Sequence, residues 1–461
     1  MSVEQSKNLK SPSINRQFWS YVLPTVGAMV VSGLYQVVDG IFIGRYVGAD
    51  GLAGVNLTWP VIGTLYGLGM MVGVGSGAIS SLSRGKNNLL LARKALGNGF
   101  SLLALVGLLG ALLLSVSGDW FLSIQGAAGS AANHASDYLL ILTIGTPLAM
   151  GSMALPFMVR NDESPTFATV MITCGAVINI ILNAIFIVYL GWGLTGAALG
   201  TTLSQAVVVI LGVMYFFSSR AKTTLTLKEL LPQWKLYIET CSIGLSSLLM
   251  YAYFSFITAI HNYLFMQYGD STLVGAFAIV GYISALYYMF AEGVASGTQP
   301  LISYNYGAHK IRRMKQFVRR MLWVTIGSGI LSVAFVNLFS DSIIQVFNDG
   351  DDALYAATKL GLRLHLLGMF LDGLIFSVGI FFQSLGLGRK ATFITVANML
   401  VQLPFLIILP KLIGINGIWL AVPVSNIALS AIVLWMLMNQ WKKLAQEPTP
   451  DKQLINKEGR A

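Results

Sequence analysis

Apolar stretches of about twenty residues follow one another along almost the whole chain, and the short polar segments between them hold nearly all the charge. Twelve are long enough to cross a bilayer as helices, at roughly 18–44, 52–82, 95–117, 138–158, 167–190, 195–217, 241–266, 273–303, 321–339, 361–386, 391–409 and 416–438. A membrane barrel would instead show segments of about ten residues with alternating polarity. The run from Leu102 to Val116 does not alternate. The pattern therefore predicts an all-α polytopic membrane protein. Composition agrees, since 55% hydrophobic residues, 10% charged residues and a mean hydropathy of +0.70 lie outside the range of soluble domains.

Basic residues are retained on the cytoplasmic side of a membrane, whereas acids steer little. With an even number of spans, 25 of the 29 Lys and Arg fall on the side of both termini, leaving Arg45, Lys359, Arg363 and Lys411 opposite. Both termini are expected in the cytoplasm of a multi-pass protein of a prokaryotic inner membrane. The polar start lacks the small-residue cleavage site of a secretory signal, so the first helix is read as an anchor. The net charge of +10 does not point to nucleic acid, because basic runs such as Lys310 to Lys315 sit in short loops where topology accounts for them. Cys174 and Cys241 have no paired spacing, which argues against a disulfide or a metal centre. No HExxH or GxSxG motif occurs and His134, His261, His309 and His365 are isolated, so no enzyme is expected.

An internal match organises the chain. Gly73-Val74-Gly75-Ser76-Gly77 pairs with Gly293-Val294-Ala295-Ser296-Gly297 at an offset of 220, and Gly193-Leu194-Thr195-Gly196 pairs with Gly414-Ile415-Asn416-Gly417 within one residue of it. Six spans in each half give both halves the same orientation, related by an axis along the membrane normal with a cavity between them. The expected division is a cytoplasmic segment 1–15, a first lobe 16–217, a basic linker 218–237, a second lobe 238–440 and a cytoplasmic tail 441–461.

Four runs carry a resemblance: Tyr35 to Gly44 (YQVVDGIFIG), Asn179 to Asn183 (NIILN), Gly196 to Thr201 (GAALGT), and Gln299-Pro300-Leu301 before Asn305-Tyr306-Gly307-Ala308. In these, over about residues 15–440, the chain resembles the multidrug and toxic compound extrusion (MATE) family. It is most similar to the DinF-like branch, which has an acid at the position of Asp39 and a proline fifteen residues earlier, here Pro24. The resemblance implies a V-shaped pair of pseudo-symmetric six-helix lobes that exports drugs against protons or sodium ions, with no cofactor beyond the coupling ion. It also implies that Tyr35 and Gln36 touch substrate. Where many family members have an aspartate in helix 5 this chain has Asn183, and helix 7 lacks the family's glutamate.

Three acids fall well inside predicted spans, Asp39, Glu292 and Asp372, and no Lys or Arg does. A carboxylate in hydrocarbon costs at least ~2.5–3.5 kcal/mol, so such residues face cavities and act. Asp39 lies ~31 Å along helix 1, Asn183 ~25 Å along helix 5, and Thr201 ~9 Å below the outer face. Asn179 and Asn183, four residues apart, share one helical face. Asp39, Asn179, Asn183 and Thr201 are therefore the candidate shell for a proton, or alternatively for sodium. Pro24 removes a backbone hydrogen bond and is the candidate hinge of helix 1. Glu292 and Asp372 are candidate contacts for cationic or amphipathic drugs, with Tyr253, Phe256, Tyr282, Tyr287, Tyr288, Met289 and Phe290 as candidate pocket walls. The reading is a monomeric drug antiporter. The alternative on the same superfold, a flippase of lipid-linked precursors, needs basic residues in the cavity to hold phosphate.

Cysteines introduced at Lys310 and at Asp351, in a background without the two native cysteines, should react with impermeant maleimide from opposite sides of the membrane. Labelling from one side would overturn the topology.

Overall fold

The computed structural model describes residues 13–124, 129–347 and 352–446. Most of segment 1–15, Asp351 and the tail from 447 lie outside the described residues. Among the described residues, twelve helices are long and apolar enough to cross a membrane. They are α1 (Ile14–Tyr46), α2 (Ala49–Gly85), α3 (Leu89–Ile124), α4 (Gly129–Asn161), α5 (Pro165–Asn183, continuing through Ala184–Tyr189) and α6 (Gly193–Phe216). The second half gives α7 (Trp234–Tyr268), α8 (Ser271–Gly307), α9 (Ile311–Leu338), α10 (Asp352–Ser384), α11 (Gly388–Ile413) and α12 (Ile415–Gln446).

All twelve predicted spans are present, but most helices overrun them. The α9 helix opens with Ile311-Arg312-Arg313-Met314-Lys315 and α10 with Asp352, polar turns that continue the backbone ladder beyond the apolar window. Hydropathy marks the hydrocarbon, whereas the helix runs on into the interface. Likewise α7 starts at Trp234, inside the stretch read as linker, and α12 runs to Gln446, into the stretch read as tail.

Helices α1–α6 pack into one bundle and α7–α12 into another, with α2 in contact with α7 and α8, and α1 with α8. The two crossing helices α2 and α8 have the same length, 37 residues, and end on Gly85 and Gly307. There the backbones touch reciprocally. A Cβ on Gly85 would collide with the Tyr304 carbonyl oxygen, and one on Gly307 with that of Leu82. Only glycine permits this approach, which closes the lobes against each other at the basic face. Helix α1 bridges the lobes differently. Phe18, Tyr21 and Val22 are buried in the core of the second lobe with Val294, Met321 and Phe381, whereas Ile43 is buried in the first with Ile62, Tyr66 and Tyr138. Pro24 lies where the helix passes from one to the other.

The linker is tied down along its length. Thr226 and Glu229 form a reciprocal cap around the 3₁₀ turn Leu227–Leu230, and the Thr226 hydroxyl and N–H hold the Glu229 carboxyl below its usual range. Asn98 of α3 donates to the Glu229 carbonyl at 3.3 Å and accepts from the Gln233 N–H at 2.7 Å.

Gly307→Leu should force the lobes apart at the basic face. A cysteine at Ser296, buried beside the inter-lobe cavity, should then label about tenfold faster from that face, the factor given by ~1.4 kcal/mol of population shift. Unchanged labelling would remove the glycine contact from the closure.

Candidate functional site

The four residues proposed as a shell come together as one hydrogen-bonded chain across three helices. Asn183 of α5 donates through Nδ2 to the Asp39 carboxylate of α1 at 2.5 Å and to Asn179 Oδ1 at 3.2 Å. Asn179 Nδ2 donates to Thr201 Oγ1 of α6 at 3.3 Å. Both amides are buried, and Asn183 Oδ1 has no partner of its own. It points at Gly200, where a Cβ would sit 2.5 Å from it.

Immediately after Asn183 the helix changes form, with no signal for it in the amino-acid pattern. Over Ala184–Tyr189 it widens to a π turn, with Leu190 N–H bonding the Ile185 carbonyl five residues back at 2.9 Å. Such turns concentrate at functional sites. Other contributors were missed because they meet the shell only in the fold. Tyr66 and Tyr138 are buried in one cluster with Ile43, one turn beyond Asp39 on α1, and Gln205 donates to the Tyr66 hydroxyl at 3.1 Å.

Asp39 lines none of the cavities described between the helices; its neighbours on α1 do. Tyr35 and Gln36 border a chamber of about 400 Å³ together with Tyr66, Tyr288, Met289 and Glu292. Tyr35 lies four residues before Asp39 on the same helical face, so the shell and the chamber wall share one strip of α1. A second chamber, with Glu292 and Asp372, adjoins the first through Phe254 and Tyr288, and a third adjoins the second through Tyr253 and Asp372. Asp372 sits in the first turn of the segment Met369–Ser384, after a 3₁₀ break at Leu366–Gly368, where the helix dipole favours a negative charge. It accepts from Asn426 Nδ2 at 2.7 Å.

The aromatic candidates divide. Tyr253, Tyr288 and Met289 line the chambers, whereas the Tyr287 hydroxyl is committed to the Thr325 carbonyl at 3.0 Å. Tyr282 is 64% exposed and stacks on Phe347. Phe290 lines a separate groove beside α9, and Phe256 lines no cavity among those described. Pro24 is held from outside its helix, its carbonyl accepting from the Thr169 hydroxyl of α5 at 2.7 Å.

Two sequence readings need correction. Arg160, placed outside the spans, lies within α4, which extends to Asn161, and is 1% exposed; Arg84, within α2, is 8% exposed. The histidines are not all isolated either. His261 of α7 and His365 of α10 meet edge to face at 5.5 Å, with His261 stacked on Phe277 at 4.8 Å. Local spacing cannot reveal a pair made by distant helices.

The family model described as MatE matches residues 24–185 and again 246–408. The chain is 27% identical over 450 residues to the multidrug export protein MepA of Staphylococcus haemolyticus (strain JCSC1435), covering 95% of this chain and 97% of that one. It is 27% identical over 449 residues to MepA of Staphylococcus aureus (strain MSSA476), with the same coverage. Among solved structures it superposes with a TM-score of 0.88 on a multidrug resistance MATE transporter in an outward-facing conformation, at 23% identity over 95% of this chain and 97% of that one. It also superposes at 0.88 on a MOP superfamily transporter from Pyrococcus furiosus whose binding pocket is described as of reverse polarity, at 22% identity over 94% and 97%.

Asn183→Ala removes both donations from the shell and leaves Asp39 and Asn179 without their partner. Stability should fall by about 1–3 kcal/mol, read as a lower thermal midpoint of the purified protein in detergent. An unchanged midpoint would mean the chain of amides carries no load.

Proposed function

The chain belongs to the MatE family, and on that premise we propose that it is a secondary active exporter of organic cations and amphipathic drugs, driven by proton antiport through Asp39. Its place is the cytoplasmic membrane of a prokaryote, as a monomer with both termini inside. The observation that carries the substrate class is the set of adjoining chambers. Glu292 and Asp372 face them, Tyr253, Phe254 and Tyr288 wall them, and no Lys or Arg is among the described lining residues. Aromatic faces and carboxylates attract organic cations, and Met70, Met250 and Met289 adapt to varied shapes. The relatives' name, multidrug export protein, supports the same reading. A flippase of phosphate-bearing lipids fits less well, because its headgroup wants Arg or Lys in the cavity.

The amide chain can serve both protonation states of Asp39. With the carboxylate charged, Asn183 donates to Asp39 and Asn179, and Asn179 donates to Thr201. Once Asp39 carries a proton it needs an acceptor, and Asn183 Oδ1 is unpartnered. Rotating both amides lets Asp39 donate to Asn183 Oδ1, Asn179 donate to the same oxygen, and Thr201 donate to Asn179 Oδ1. Every group has the donor and acceptor capacity this reversal requires. Because Tyr35 and Gln36 lie on the same strip of α1, the reversal reaches the drug chamber. Pro24, which links the part of α1 buried in the second lobe to the part buried in the first, is the hinge that lets the strip move. The DinF-like placement rests on this pairing of Asp39 with Pro24. Sodium is the alternative ion, and it would gain from the second acid that Asn183 does not supply.

In proteoliposomes with pH and sodium gradients imposed separately, Asp39→Asn should abolish uphill drug efflux while the protein stays folded. Asn183→Asp should introduce sodium dependence by restoring paired acids. Efflux by Asp39→Asn against an imposed pH gradient would overturn the mechanism.

A further inference from the structure

Arg160 is a buried cation without an obvious purpose. It lies at the end of α4 and is 1% exposed, with Nε and Nη1 making no hydrogen bond. Its guanidinium rests on the Phe157 ring, 4.6 Å from the centroid. A buried charge is costly unless a counter-charge compensates it. The acids next to it in sequence are taken. Asp162 and Glu163 pair with Arg84, and Asp162 also accepts from the Tyr215 hydroxyl and the Lys222 N–H. The carboxylate left on this side of the protein is Glu292 of α8, which faces the chamber that Phe157, beneath the guanidinium, also lines.

The two charges belong to different lobes; α4 contacts α8, and its last residue, Asn161, accepts from Arg84, which precedes the Gly85–Gly307 contact of the closed basic face. Phe157, on which Arg160 rests, and Glu292 line the same chamber. Arg160 itself does not line it. It stands behind the wall, resting on Phe157.

We propose that Arg160 is a built-in competitor for the Glu292 carboxylate, which loosens an organic cation from the chamber when the basic face closes. With α4 against α8, Arg160 compensates Glu292 and repels a bound cation. When that face opens, the lobes part, Arg160 is withdrawn, and Glu292 is left to recruit a cation from the cytoplasm. Closing the face then returns Arg160 and weakens the hold on the cargo before it leaves on the other side. Arg160 is a positioning residue in this scheme, and it acts on cationic cargo while leaving neutral cargo untouched. The inference rests on the proposed export of cations.

The test is calorimetric binding of tetraphenylphosphonium to the purified full-length protein, together with efflux kinetics in proteoliposomes. Arg160→Met should tighten binding about tenfold, equivalent to ~1.4 kcal/mol of removed competition, and should lower KM and kcat together. Arg160→Lys, which keeps the charge, should stay near wild type. In the Glu292→Gln background, Arg160→Met should change nothing. Weaker or unchanged binding in Arg160→Met, or the same shift in both backgrounds, would overturn the proposal and leave Arg160 a packing residue. Should Arg160→Met fold poorly, adding Glu292→Gln should recover its yield and thermal midpoint, because removing both members of a buried pair is far less harmful than removing one. A double variant no more stable than Arg160→Met would also overturn it. If wild type fails to bind tetraphenylphosphonium at all, the cation-export reading itself falls, and this inference with it.

Discussion

In hydrocarbon a polar group finds its partner inside the protein or not at all, and each unsatisfied backbone group costs several kcal/mol. The long unbroken helices answer this constraint for the backbone. The side chains answer it locally. Many buried hydroxyls bond back to carbonyls of their own helix, as Thr25 does to Tyr21 and Ser76 to Val72. The polar groups that cannot be satisfied within one helix are the ones that tie helices together: Asp39 with Asn183, Asp372 with Asn426, and Gln402 with Tyr253.

The same constraint explains what could be read in the sequence. Spans are legible because composition must match the bilayer over about twenty residues, while helix ends are not, since nothing in the interface demands that a helix stop. Asp39 stands out through the cost of burying it, and Asn179 with Asn183 through their spacing. The π turn at Ala184–Tyr189, the Tyr66–Gln205 contact and the His261–His365 pair leave no such trace. They depend on which helix lies next to which. Arg160 was hidden for a simpler reason, sitting two residues beyond an apolar window that the helix itself outruns.

The two lobes share an architecture but not a chemistry. Of the three acids well inside the predicted spans, the first lobe places Asp39 on α1, and the second has Glu292 on α8 and Asp372 on α10. At the repeat offset of 220, the counterpart of Asp372 is Ser152, which lines the chamber beside Tyr66 and Glu292. The acids are thus not symmetry mates. Asp39 accepts from Asn183 and lines no described cavity, whereas Asp372 opens onto two chambers. In the mechanism we propose, that division suits one lobe to the driving ion and the other to the cargo.

The linker bears on how such lobes can move. A stretch of polar residues joining two bodies is commonly a leash, and its reach sets how far they can drift apart. Here the chain is fastened to α3 through Gln233, and α7 begins at the next residue, Trp234. No slack is left. The joint behaves as a pin rather than a tether: it allows one lobe to swing about a fixed point at the basic face and denies it translation. Insertions that would be harmless in a leash would here shift the pivot itself.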